Sequence, residues 1–345
     1  MQRRRYLLTG GSALVTLVAG CSSESDSPDS NSDDATETDS TDTETEDRTE
    51  ARTTDTQSSD TTERLEAAAA DLESALLALS TESDKFADPS VEAGGGVDVR
   101  TTAVTGHLDD AAAELDAAEQ DATDSQQEAI DAARQWISLA RALLDFLNVL
   151  ADGYTELTTG FTYFDSERYD DAADSFEAAG ETLSDADSRL TIVRDRNDAL
   201  MQTDSEAFDD VDLTSIDADI DELSSLLDTL VPMTDGLGEL SLGLSDFLAA
   251  TTDLENEAFI DAESTYEAAE DHFTTAESTL MSLESSAPNS VQSSVIELTC
   301  YAGALKEGAG HYAAGSGYYA DGNTTAGDDE FSQGQEALDR CDFEG

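Results

Sequence analysis

The chain has 345 residues and a formal net charge of −63, with 79 Asp and Glu against 16 Lys and Arg. Such a balance repels nucleic acid and anionic lipid headgroups, which excludes both as partners. The acids are interleaved with regularly spaced apolar residues over most of the chain, so a folded acidic surface is expected rather than disorder throughout.

Residues 1–21 read MQRRRYLLTGGSALVTLVAGC: a basic start at Arg3, Arg4 and Arg5, then an apolar run from Tyr6 to Ala19. The run is shorter than the ~20 residues a helix needs to cross a bilayer, and it suits the apolar core of a signal peptide. Arg3-Arg4-Arg5-Tyr6-Leu7 resembles the twin-arginine export motif, and Val18-Ala19-Gly20-Cys21 resembles the lipobox of exported lipoproteins. The resemblance implies cleavage before Cys21 and a lipid on its thiol. The protein would then sit on the outer, extracellular face of the cytoplasmic membrane. The alternatives are an uncleaved N-terminal anchor or plain secretion. Lys85 and Lys306 are the only lysines. This acidic, lysine-poor composition resembles cell-surface proteins of halophilic archaea, where ~1 M salt shortens the Debye length to about 3 Å and quenches self-repulsion.

Residues 22–62 are Ser, Thr, Asp and Glu with almost nothing else. They cannot bury enough surface to offset chain entropy, so a disordered, self-repelling tether is expected.

From Glu63 the apolar residues fall at helical spacing, and residues 63–345 are expected as one all-α domain. The first helix carries Leu65, Ala68, Leu72, Ala75 and Leu79, and a break with Pro89 and Gly94-Gly95-Gly96 ends it. The second carries Val104, Leu108, Ala111, Leu115 and Ala118. The third runs from about Ser125 to Phe164 through Trp136, Phe146, Leu150 and Leu157. The fourth carries Tyr169, Ala172, Phe176, Ala179 and Leu183. The fifth spans Leu226 to Leu254, with Pro232 expected to kink or split it. The sixth runs from Phe259 through Tyr266 and Phe273 to Leu283. The seventh runs from Leu298 to Tyr319, and a short eighth carries Phe331, Gly334, Leu338 and Cys341. Breaks such as Asp165-Ser166-Glu167 make neighbours antiparallel and pair the helices first with second, third with fourth, fifth with sixth and seventh with eighth.

Shifting the chain by 90 residues places Tyr169, Ala172, Phe176, Ala179 and Leu183 on Phe259, Ala262, Tyr266, Ala269 and Phe273. Shifting it by 155 places Gly153, Gly160 and Phe176 on Gly308, Gly315 and Phe331, a shortened last copy of the kind that caps a stack. Gly160, Tyr163, Tyr169, Ala172, Phe176 and Ala179 resemble a tetratricopeptide repeat in spacing. Copies 90 and 65 residues apart, with no closing proline, depart from its usual 34-residue period. The resemblance implies a tetratricopeptide-like solenoid of stacked antiparallel helical hairpins with lengthened helices; an elongated helical bundle is the rival.

His107, His272 and His311 lie on three different hairpins, and neither a calcium loop nor a phosphate-binding glycine motif is present. No enzyme activity, metal or cofactor is therefore expected. Gly303, Gly308, Gly310, Gly315 and Gly317 crowd the seventh helix. They fit close packing against the sixth or eighth helix. They also fit a shallow groove in which Tyr301, Tyr312, Tyr318 and Tyr319 hold a partner segment. In an oxidising exterior, Cys300 and Cys341 on neighbouring antiparallel helices are expected to form a bridge. Asn323-Thr324-Thr325 is a glycosylation sequon between the last two helices. The expectation is a membrane-anchored scaffold that binds an envelope protein or peptide. A structural spacer without a ligand and a solute- or cation-binding lipoprotein are the alternatives.

Overall fold

A computed structural model describes residues 50–83, 99–202 and 213–341. Residues 1–49, which include the signal, Cys21 and most of the expected tether, lie outside the described residues, as does the break from Pro89 to Gly96.

Eight α-helices make up the described residues: α1 (Glu50–Ser83), α2 (Thr101–Ala118), α3 (Asp124–Asp165), α4 (Tyr169–Met201), α5 (Leu213–Glu255), α6 (Phe259–Leu283), α7 (Asn289–Ala320) and α8 (Thr324–Leu338). No strand occurs among the described residues, and the fold is an all-α stack of antiparallel hairpins. At 42 residues, α3 is about 63 Å long at ~1.5 Å per residue. Its start is set by a capping box. The Thr123 N–H donates to Gln126 Oε1 at 3.0 Å, and the Gln126 N–H donates to Thr123 Oγ1 at 3.4 Å.

Several details differ from the sequence reading: α5 begins at Leu213 and α7 at Asn289, ahead of the Leu226 and Leu298 expected. Helix α1 starts at Glu50, inside the segment expected as tether. The seam continues one turn below Leu65 through Thr61, which is buried, and Gln126 donates to the Thr62 hydroxyl. A threonine in a seam leaves no apolar signal. Helix α5 passes through Pro232 unbroken. It is packed on both sides, by α4 and by α6, and those contacts hold the ring within one helix.

The hairpins repeat one geometry. In the turn after α3 the Arg168 N–H donates to Tyr163 O, after α5 the Ala258 N–H donates to Asp253 O, and after α7 the Asn323 N–H donates to Tyr318 O. Each turn places one residue at positive φ: Glu167 at 61°, Glu257 at 58° and Gly322 at 80°. These residues are 90 and 65 apart, the offsets of the seam repeat. The three turns lie at the same end of the stack, and Glu50, where α1 begins, lies at the other.

Helices α4 to α7 each pack along the helix before and the helix after. Helix α3 packs mainly on α4, with α1 and α2 against its first half. Helix α8 packs along α7. Helices α3, α5 and α7 bury two stripes. One is the hairpin seam. The second contains Ile130, Ile137 and Leu144 on α3, Leu227, Thr234 and Ser241 on α5, and Val291, Val295 and Ser316 on α7. The buried hydroxyls are satisfied locally: Thr234 donates to Val231 O at 2.6 Å and Ser241 to Leu237 O at 2.8 Å.

Candidate functional site

The sequence singled out the last hairpin, and its packing is set by glycines on two faces of α7. Towards α8, a Cβ on Gly315 would lie 2.5 Å from Phe331 Cε1, and one on Gly308 would lie 2.6 Å from Leu338 Cδ2. The fit is reciprocal. A Cβ on Gly327 of α8 would meet the Tyr319 ring at 2.3 Å, and one on Gly334 would meet the Tyr312 ring at 2.8 Å. Four side chains thus enter four glycine notches. Towards α6, the notches at Gly303, Gly310 and Gly317 receive the carboxylate ends of Glu277, Glu270 and Glu263. Glu277 also accepts from Lys306.

The four candidate tyrosines do not form one free wall. Tyr312 and Tyr319 belong to a continuous ring ladder through α5, α6, α7 and α8. Tyr312 lies 5.4 Å from Phe247, 5.3 Å from Tyr266 and 5.4 Å from Phe331, while Tyr319 lies 5.5 Å from Phe331 and 5.2 Å from Phe259. Burial pushes the phenols of Tyr266 and Tyr312 above the ordinary tyrosine range. The Tyr319 hydroxyl donates to Asp328 Oδ1 at 2.5 Å, and this bond raises its pKa. Tyr301 is partly buried against the core, and Tyr318, 40% exposed, stands alone at the surface. The groove expected for a partner is filled by α8. Of the two readings of the α7 glycines, close packing against the sixth and eighth helices is the one the structure shows.

Cys300 and Cys341 are joined as a disulfide, with Cα atoms 6.1 Å apart, between α7 and the short 3₁₀ turn Asp339–Cys341. Beside it Arg340 pairs with Glu307 at 2.5 Å and holds that carboxyl below its usual range. Asn323 is exposed in the turn before α8, and its Oδ1 accepts from the Ala326 N–H at 3.5 Å.

Each histidine has a carboxylate on the neighbouring helix, which spacing along the chain could not reveal. His107 Nδ1 lies 3.6 Å from Asp71, His272 Nδ1 2.7 Å from Glu239 and Nε2 3.7 Å from Asp246, and His311 Nδ1 2.7 Å from Glu330. These are cross-helix ties, and no group of three His, Cys, Asp or Glu side chains among the described residues could hold a metal ion. No described helix is long and apolar enough to cross a membrane.

By fold, the described chain is an all-α stack of helical hairpins. No protein-family model matches it, and neither a curated protein nor a solved structure does.

Proposed function

We propose that the protein is a lipid-anchored extracellular lipoprotein whose tetratricopeptide-like helical stack serves as a scaffold for an envelope protein or peptide. One observation carries this reading. Arg3-Arg4-Arg5, an apolar run and Val18-Ala19-Gly20-Cys21 stand in export order, ahead of an acidic Ser/Thr segment and the stack. A lipid on Cys21 would hold the Glu50 end of the stack nearer the membrane. The three hairpin turns, with Asn323 among them, would then face outward. Cys21→Ser should move the protein from the membrane fraction to the medium, because no described helix is long and apolar enough to anchor it instead; retention in the membrane would overturn the anchor. Crosslinking on intact cells, followed by identification of the captured protein, tests the scaffold.

A second reading, a spacer without a specific ligand, is favoured by the occupation of the tyrosine groove by the chain's own α8. Capture of one reproducible partner separates the scaffold from the spacer.

A further inference from the structure

The three hairpins share one register but differ in what lies beyond them. Helix α4, 33 residues long, is clasped between α3 and α5, and α6, 25 residues long, between α5 and α7. Helix α8 has 15 residues and packs along α7, with no comparable contact to any other helix among the described residues. A helix of that length is marginal in isolation, so its order depends on the surface beneath it. Where the longer copies have a following helix, the last has the Cys300–Cys341 bridge.

The surface beneath α8 is specific. Notches at Gly308 and Gly315 alternate with Tyr312 and Tyr319, and they fit a helix that presents Gly, Phe, Gly and Leu at the spacing of 327, 331, 334 and 338. Any chain carrying that helix can supply it, including a second copy. The connection to α8 is a short turn with Gly322 at φ 80°, and exchange of a terminal element through such a hinge is the low-cost route to a swapped dimer.

We infer that the Tyr312–Tyr319 face of α7 is a helix-binding groove, that the Cys300–Cys341 bridge keeps each chain's own α8 in it, and that a chain lacking the bridge accepts the α8 of a second copy. The inference does not depend on the anchor or on any envelope partner.

The test uses two full-length chains, both Cys21→Ser, one also Cys300→Ser and the other Cys341→Ser, made at different sizes by a tag. Exchange brings Cys341 of the first chain to Cys300 of the second. Mild oxidation of the mixture should trap a covalent heterodimer in excess of the homodimers that either variant forms alone. Phe331→Ala in the chain that donates α8 should abolish the excess. No heterodimer, a heterodimer no more abundant than the homodimers, or indifference to Phe331→Ala overturns the inference. Should either variant fail to fold, hydrogen exchange on the native chain with the bridge oxidised and reduced decides. Loss of protection confined to α8 on reduction supports the strap, whereas unchanged protection in α8 or loss throughout α3 to α7 overturns it.

Discussion

A Cβ added to Gly160 would lie 2.6 Å from Cε1 of Phe176, a ring with no solvent exposure that also packs edge-on against Phe161 at 5.2 Å. The same contact recurs between Gly243 and Phe273 and between Gly315 and Phe331. Overpacking a rigid seam costs ~1–3 kcal/mol, against ~1 kcal/mol that alanine gains over glycine in a helix, so Gly160→Ala and Gly243→Ala should each lose up to ~2 kcal/mol. Gly106, in α2, has nothing within 4 Å of its Cβ position, and Gly106→Ala should gain ~1 kcal/mol. Denaturant titrations at fixed molar salt read both signs. Equal shifts for Gly106 and Gly160 would remove the seam argument.

The hairpin turns predict a second sign change. Glu257 occupies the left-handed region that costs a residue with a Cβ ~1–2 kcal/mol, whereas Gly322 holds the equivalent position without that cost. Glu257→Gly should stabilise the fold by somewhat less than ~1 kcal/mol after the unfolded chain's gain in freedom, and Gly322→Ala should destabilise it by a similar amount. Melting temperatures followed by circular dichroism would show the opposite shifts; a loss in Glu257→Gly would mean that its side chain holds the turn.

Tyr266 is fully buried, meets Phe247 at 5.0 Å and shares a hydrogen bond with Thr251 at 3.0 Å. Tyr266→Ala should cost ~3–5 kcal/mol, as should Phe176→Ala, because each empties a closed seam. Tyr266→Phe keeps the ring and loses only the hydroxyl contact. It leaves Thr251 still bonded to Phe247 O, so the cost should be ~1 kcal/mol. Comparable midpoints for the Ala and Phe variants would place Tyr266 outside the core.

Salt should govern stability as a whole. The charge of −63 acts over about 30 Å at 10 mM salt and about 3 Å at 1 M. The cross-helix pairs that oppose it, such as Arg134 with Asp116 and Glu119, and Arg141 with Asp109, are largely exposed and individually weak. Helical circular dichroism should be complete in molar KCl and substantially reduced in dilute buffer. A cooperative, fully helical melt at 10 mM salt would show that the fold tolerates its own repulsion.

Much of the fold is legible in the sequence because a hairpin seam is a local property. Leu72, Leu108, Phe176 and Phe273 recur at helical spacing, and a buried stripe must be apolar wherever the chain leads it. The turns are equally local: residues 165–169, 255–259 and 320–324 follow from where the seam periodicity breaks. What tertiary structure alone decided is how the hairpins meet. The second stripe of α5 and α7 runs through Thr234, Ser241 and Ser316, whose hydroxyls bond back to their own helices and can be buried without reading as apolar. The turn of α1 before Leu65 was hidden because Thr61 is buried without reading as apolar. The partners of His107, His272 and His311 depend on the register between helices, which no spacing along one helix contains. The glycines of α7 could be read as a groove or as close packing, because both require small residues at the same positions. Only the placement of Phe331 and Leu338 in the notches shows that α8 occupies that face, since complementarity belongs to two surfaces and the sequence lists them one at a time.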